Sequence, residues 1–246
     1  MLNKDNLVKA LKKYHLNGVL NDAVIEIKDG TLLTKRFKTE TGIIGSIEQK
    51  DVEVEDCELG IYYTNTLLKM LGIIEKDTKC KVIYSDAGDR VTSLELTDKK
   101  GKVVNFATCD PEIVTTTYPK NPKVSDFEIS ISLNQELIAD ILKAQGAIDT
   151  SAITFLCKKD KLFLVFGYSK STNDNSISFE VEATNFEEID TLSFDSDSVK
   201  NILQVNSDNF TKATMEISSK GLLKLYFEGT DFKAEYYLLK LETDNN

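Results

Sequence analysis

Four short stretches of the chain place apolar residues three or four positions apart, the spacing that gathers side chains on one side of an α-helix. They are Leu7/Leu11/Tyr14, Leu67/Leu71/Ile74, Leu137/Ile141 and Val199/Ile202/Leu203. The spacing predicts helices near residues 5–14, 64–74, 134–145 and 197–204. Between them the period falls to two, the mark of strands with one wet face. Ile177, Phe179, Val181 and Ala183 alternate with Ser178, Glu180 and Glu182, and residues 24–33 alternate in the same way. Residues 91–96 and 102–106 flank Thr97-Asp98-Lys99-Lys100-Gly101, a glycine-containing turn that predicts a hairpin.

The pattern repeats. Leu7, Val8 and Leu11 followed by the strand run from Val24 reappear about 130 residues later as Leu137, Ile138, Ile141 and Leu142 followed by the run from Ile153. Leu67, Leu71 and residues 79–83 precede Val199, Leu203 and residues 212–216 by a similar offset. Four copies of one helix-then-strands unit predict an α+β protein of two similar domains, each with antiparallel sheets and short helices. All three prolines, Pro111, Pro119 and Pro122, fall within twelve residues of one another. Proline removes a backbone donor and holds its predecessor extended, so residues 109–125 read as a connector between domains 1–108 and 126–246.

Composition narrows the function. The chain has 246 residues, 41% of them hydrophobic, and 40 acids against 30 bases give it a net charge of −10. That balance argues at first against nucleic acid, whose phosphates call for clustered Lys and Arg. No run approaches the roughly 18 apolar residues of a membrane span, and the first residues lead into a charged amphipathic stretch, so the expectation is a cytoplasmic protein. Cys57, Cys80, Cys109 and Cys157 form no C-x-x-C and read as reduced, buried thiols. His15 is the only histidine, and neither a G-x-S-x-G nor a P-loop occurs. It reads as a helix-terminal or solvent-facing residue. The acid pairs Glu187-Glu188 and Asp195-Ser196-Asp197 suit turns and helix starts better than carboxylate catalysis, Asp195 or Asp197 serving as an N-cap. The expectation is a protein that is not an enzyme and has no metal or cofactor.

Lysines, by contrast, recur on the outward sides of the predicted helices. Lys9, Lys12 and Lys13 lie opposite Leu7 and Leu11, and Lys69, Lys143 and Lys200 take outward positions on the other three. Glu136 and Asp140 share a face with Lys143, so the first helix gives the clearest signal.

With four such units, a proline-bearing midpoint and a lysine-bearing first helix, the chain resembles the DNA sliding clamps, the processivity factors of replicative polymerases. The resemblance is strongest to the clamps of T-even-type bacteriophages, through Leu137–Leu142 on to Thr150–Thr154 and through Phe227-Glu228-Gly229 leading into Tyr236–Glu242. Tyr236-Tyr237-Leu238 is also similar to the carboxy-terminal strand of proliferating cell nuclear antigen, although no Ala-Pro follows it here. The resemblance implies a homotrimeric ring around double-stranded DNA, opened by an ATP-dependent clamp loader and holding a replicative DNA polymerase. It implies DNA-facing roles for Lys9, Lys12, Lys13, Lys69, Lys143 and Lys200. It also implies a hydrophobic partner-peptide pocket at Ile43, Ile44, Ile113, Val114, Leu222, Tyr237 and Leu239. Subunits would join by edge strands through Val104 and Phe106 of one and Ile177 and Phe179 of the next. A viral structural or host-interaction protein built from duplicated β-rich domains, and an acidic hydrolase, are the competing readings.

Overall fold

The computed structural model describes residues 2–114, 122–124, 126–169 and 174–242. Residues 115–121 and 125 of the proline-bearing segment, Pro119 among them, lie outside the described residues. Two compact units emerge. The first comprises Met1–Glu40, Ile44–Lys120 and Thr230–Ala234, and the second Thr41–Ile43, Asn121–Gly229 and Glu235–Asn246.

The first unit holds helices α1 (Lys4–His15) and α2 (Thr64–Ile73). One of its sheets runs in the order Leu2–Asn3, Asp77–Tyr84, Val91–Asp98, Val103–Ala107. The other runs Cys57–Ile61, Ala23–Lys28, Thr31–Thr34, Ile44–Gln49, with Phe37–Lys38 also on the last strand. The second unit holds α3 (Gln135–Ala147) and α4 (Ser196–Asn206). Its sheets run Ile177–Val181, Lys161–Phe166, Ala152–Lys158, Leu192–Asp195 and Asn185–Phe186, Ile129–Ser132, Lys212–Ser218, Leu222–Glu228, followed by the part of strand Phe232–Leu239 from Glu235 on. All the ladders are antiparallel among the described pairs.

The helix stripes are what the sheets receive. Leu7, Leu11 and Tyr14 of α1, Leu67 and Leu71 of α2, Ile141 of α3, and Val199, Ile202 and Leu203 of α4 are all buried, whereas Leu137, placed on the α3 stripe by its spacing, is half-buried and Ile138 takes its place in the core. Burying each such side chain is worth about 1.5–3 kcal/mol. On the strands the inward residues alternate as expected: Ala213, Met215 and Ile217 pair across from Phe227, Leu225 and Leu223, while Glu216 and Lys224 pair on the outer side and form an ion pair at 3.1 Å. Buried polar groups are tied to the same framework, as where Asn206 Nδ2 donates to Tyr236 Oη at 3.0 Å.

Three helices are capped by the residue before them. The side chains of Asn3, Asn134 and Asp195 accept from Asn6, Leu137 and Ser198 amides at 3.2, 2.8 and 2.7 Å. Such a cap contributes about 1 kcal/mol. The residue before α2 is Tyr63, and its side chain caps nothing.

Turn chemistry repeats between the units. Asp29-Gly30 and Lys159-Asp160 are two-residue hairpin turns with positive φ at both positions. Asp98–Gly101 and Ser218–Gly221 are closed by a glycine amide donating three residues back at 3.0 and 2.8 Å, and the glycines sit at φ +79° and +83°. A glycine in this conformation has no Cβ to clash.

The start of the proline-bearing segment is fastened to the first unit by a close backbone approach. Gly60 and Cys109 exchange amide hydrogen bonds at 3.2 and 2.9 Å. A methyl group at Gly60 would come within 2.7 Å of Cys109 Sγ and 2.8 Å of its carbonyl oxygen. Gly60→Ala is therefore expected to lower stability by about 1–3 kcal/mol, read as a drop in the urea midpoint. His15 ends α1 as the sequence suggests, but it is buried, and burial pushes its pKa below the ordinary 6.5 against an opposing hydrogen bond with Asn21. The unfolded chain thus takes up this proton first as pH falls. Stability from this group is complete above about pH 6.5 and is lost as pH drops from there through the folded pKa. In urea melts the midpoint of wild type should decline below about pH 6.5 more steeply than that of His15→Asn.

Candidate nucleic-acid interface

Within each unit the two helices pack side by side and run in opposite directions. In the first, Lys4 Nζ at the start of α1 donates to the carbonyls of Leu71 and Ile74 at the end of α2, at 3.2 and 2.6 Å. At the opposite end, the Thr64 amide and hydroxyl donate to Asn21 O at 2.7 and 2.8 Å. In the second, Gln145 near the end of α3 donates from Nε2 to Ser196 Oγ and Asp197 Oδ1 at the start of α4, at 2.9 and 3.2 Å. A lysine on the last carbonyls of α2 also meets the negative end of its helix dipole.

The helices reverse the sign of the chain. They carry seven lysines, at 4, 9, 12, 13, 69, 143 and 200, against four acids, Asp5, Glu136, Asp140 and Asp197. The whole chain is at −10. Asp5 is further occupied by Lys76, whose hydrogen bond at 2.7 Å holds the carboxyl below its usual range.

The six lysines expected to face DNA fall into three groups. Lys12 and Lys69 are exposed, Lys200 is half-buried, and none of the three makes an ion pair among the described residues. Lys9 is half-buried, 3.4 Å from Asn6 Oδ1 and 3.8 Å from Asp231, and Lys143 is exposed but 3.6 Å from Asp140. Lys13 departs from the expectation. It is only 5% exposed, and its Nζ lies 4.2 Å from the centroid of the Phe232 ring. The helical spacing assumes one buried stripe on α1, whereas residues 230–234 cover a second side of it. Lys9, Lys12 and Lys13 therefore do not make one exposed face.

Residues expected in a peptide pocket are dispersed in environment. Ile43, Val114 and Leu222 are buried, Ile44 and Tyr237 are half-buried, and Ile113 and Leu239 are 50% and 65% exposed. In the first unit, Val114 lines a cleft of about 560 Å³ whose other walls include Lys35, Glu58, Arg90, Asp110 and Glu112. That cleft is charged where the expectation was apolar.

Val103–Ala107 and Ile177–Val181 are both edge strands of their sheets. Val104 and Phe106 face inward and are buried, while Val103 is 57% exposed, so the outward phase of this edge is one residue away from the expected one. Ile177 and Phe179 also face inward, paired with buried Phe166 and Leu164, but on the edge strand they stay half-buried. Together with Leu137, Ala144 and Ala147 of α3 they line a groove of about 580 Å³, rimmed by Glu136, Asp140 and Glu180. Sequence reasoning passes over Ile73 and Val103, which are 58% and 57% exposed; the Ile73 carbonyl accepts from Lys102 Nζ at 2.8 Å. It also passes over Tyr62 and Tyr63, whose signal is an aromatic pair where a helix cap belongs.

The four cysteines are free and half-buried. Burial pushes the Cys57 thiol up to about 11 and the Cys80 thiol up to about 12, so neither is a nucleophile near neutral pH. Among the described residues no three His, Cys, Asp or Glu side chains are grouped to hold a metal, and no helix is long and apolar enough to cross a membrane.

No family model matches this sequence, and no curated protein matches it. The fold does match solved structures across nearly its whole length. Proliferating cell nuclear antigen (PCNA) from Entamoeba histolytica aligns over 98% of this chain and 100% of its own, with a TM-score of 0.73 at 13% identity. PCNA of A. fulgidus, solved with the C-terminal region of FEN-1 bound, aligns over 99% and 98% with a TM-score of 0.75 at 17% identity. The PCNA2–PCNA3 complex from Sulfolobus tokodaii gives 98%, 97%, 0.71 and 13%. The chain has the α+β sliding-clamp fold.

Proposed function

We propose that this protein is a sliding clamp, a non-catalytic ring that encircles duplex DNA and tethers a replicative polymerase. Residues 1–108 and 126–246 are then the two clamp domains of each subunit, with 109–125 as their connector. The observation that carries this reading is the partition of charge over a clamp fold: helices with seven lysines and four acids within a chain at −10. Phosphate contacts from such helices are sequence-independent. Few in number, they permit movement along the duplex, and retention comes from enclosure. Tethering raises the concentration of polymerase at the primer end without any new contact to DNA.

Ring closure finds support in two unlike surfaces of one chain. The first unit presents exposed Ile73 and Val103. The second presents the apolar groove at Leu137, Ile177 and Phe179. Edge strands that would otherwise invite aggregation are covered if Val103–Ala107 of one copy pairs with Ile177–Val181 of the next. Unlike patches meeting head to tail generate a ring when the rotation closes, here with three copies. The likeness of Leu137–Thr154 and Phe227–Glu242 to T-even-type clamps favours a phage polymerase and its ATP-dependent loader as partners. That A. fulgidus PCNA was solved with a FEN-1 segment supports a search for short peptides as ligands.

Two outcomes test the proposal. With polymerase and loader on a primed circular template, wild type should lengthen products, and Lys12→Ala/Lys69→Ala/Lys200→Ala should reduce that stimulation at least about tenfold while sedimenting as wild type does. Failure of wild type to stimulate any matched polymerase would remove the reading. Independently, Phe179→Asp and Val103→Asp should each convert the sedimenting trimer to monomer, since a desolvated charge in such an interface goes unpaired.

A further inference from the structure

Tyr62 and Tyr63 are the largest side chains left uncovered beside α1 and α2. They are 46% and 66% exposed, with ring centroids 6.0 Å apart and planes tilted by 38°. Neither hydroxyl has a partner among the described residues. Tyr63 occupies the position that Asn3, Asn134 and Asp195 use to cap the other three helices, and it gives α2 no cap. A position that forgoes local stabilisation for an exposed aromatic points to a role outside the fold.

The platform is held firmly. Thr64, the next residue, is fully buried, and both its amide and its hydroxyl donate to Asn21 O. Those bonds set the tyrosines beside the end of α1, where Lys12 is exposed. Lys69 follows Tyr63 by six residues, about 9 Å along α2, and Asn65 and Thr66 between them are exposed and polar. Two flat aromatic rings on the same helix pair as exposed Lys12 and Lys69, which make no ion pair among the described residues, offer stacking to a base and charge to its phosphates, in any sequence. A duplex hides the faces of its bases, so stacking selects unpaired nucleotides.

We infer that the Tyr62–Tyr63 end of the α1–α2 pair binds single-stranded DNA, with bases on the tyrosines and phosphates at Lys12 and Lys69. This rests on the clamp reading only for the source of the strand, the unpaired template beside the primer end.

The chain has no tryptophan, so its emission comes from nine tyrosines, and the part quenched in wild type but not in Tyr62/Tyr63 variants reports the contact. Titrating the full chain at low salt with oligodeoxythymidylate of about 16 nucleotides should quench that emission saturably. Tyr62→Ala/Tyr63→Ala should weaken binding by about tenfold or more and remove the quenching. Tyr62→Phe/Tyr63→Phe should keep wild-type affinity in a competition assay with labelled strand, because stacking needs the ring alone. Lys12→Ala/Lys69→Ala should flatten the salt dependence. Urea midpoints of all variants establish that they fold. Equal affinity of wild type and the double alanine variant, or equal affinity of wild type for a blunt duplex, overturns the inference. A clamp that assembles and stimulates polymerase without binding the oligonucleotide sinks this inference alone. Oligonucleotide binding by a chain that neither assembles nor stimulates sinks the clamp reading alone.

Discussion

A helix of ten to thirteen residues lying on a sheet can hide one side only, and this constraint shapes the rest of the molecule. Leu, Ile and Val on that side commit each helix to its sheet, and whatever stands off it is left for solvent, a ligand or, as at Lys13, a distant segment of the chain. Two helices laid antiparallel and tied at their ends then present one composite outer surface per unit. The ties are economical: Lys4 reaches two carbonyls, Thr64 gives two bonds to one oxygen, and Gln145 reaches two side chains. Sign and exposure on that surface are free to vary because the core does not depend on them.

Where one interaction dominates, sequence reads through to structure. The helix stripes, the alternation of strands such as Lys212–Ser218, and the cap at Asp195 each follow from a local rule with a strong energetic preference. Departures arise where a distant segment intervenes. Lys13 looks like a surface residue on its own helix, and only the arrival of Phe232, more than two hundred positions later, buries it. Val103 and Val104 are chemically equal, so the phase of that edge strand depends on its neighbour, where Leu96 pairs with Val104. The charged cleft beside Val114 is assembled from residues as far apart as Lys35 and Glu112, which no short window contains.

Net charge is a poor guide to a molecule whose charges are sorted by element. An excess of acids keeps long-range attraction to DNA low, while lysines such as Lys12 and Lys69 act within a Debye length of about 8–10 Å. In the clamp proposed above the two effects would work together, since weak local contacts limit friction and the excess of acids lowers attraction from outside.

The paired hairpin turns differ in what governs them. Asp29-Gly30 carries residues that adopt positive φ readily, so the chain reverses there with little strain. Lys159-Asp160 adopts the same geometry with no glycine, and the preference of L-residues against that region opposes it. In the first unit the turn can therefore form within microseconds and guide its strands together. In the second, the reversal leans on pairs across the ladder such as Phe155 and Leu164. Two halves with one architecture thus need not acquire it in the same order: one hairpin is written from its tip, the other from its strands.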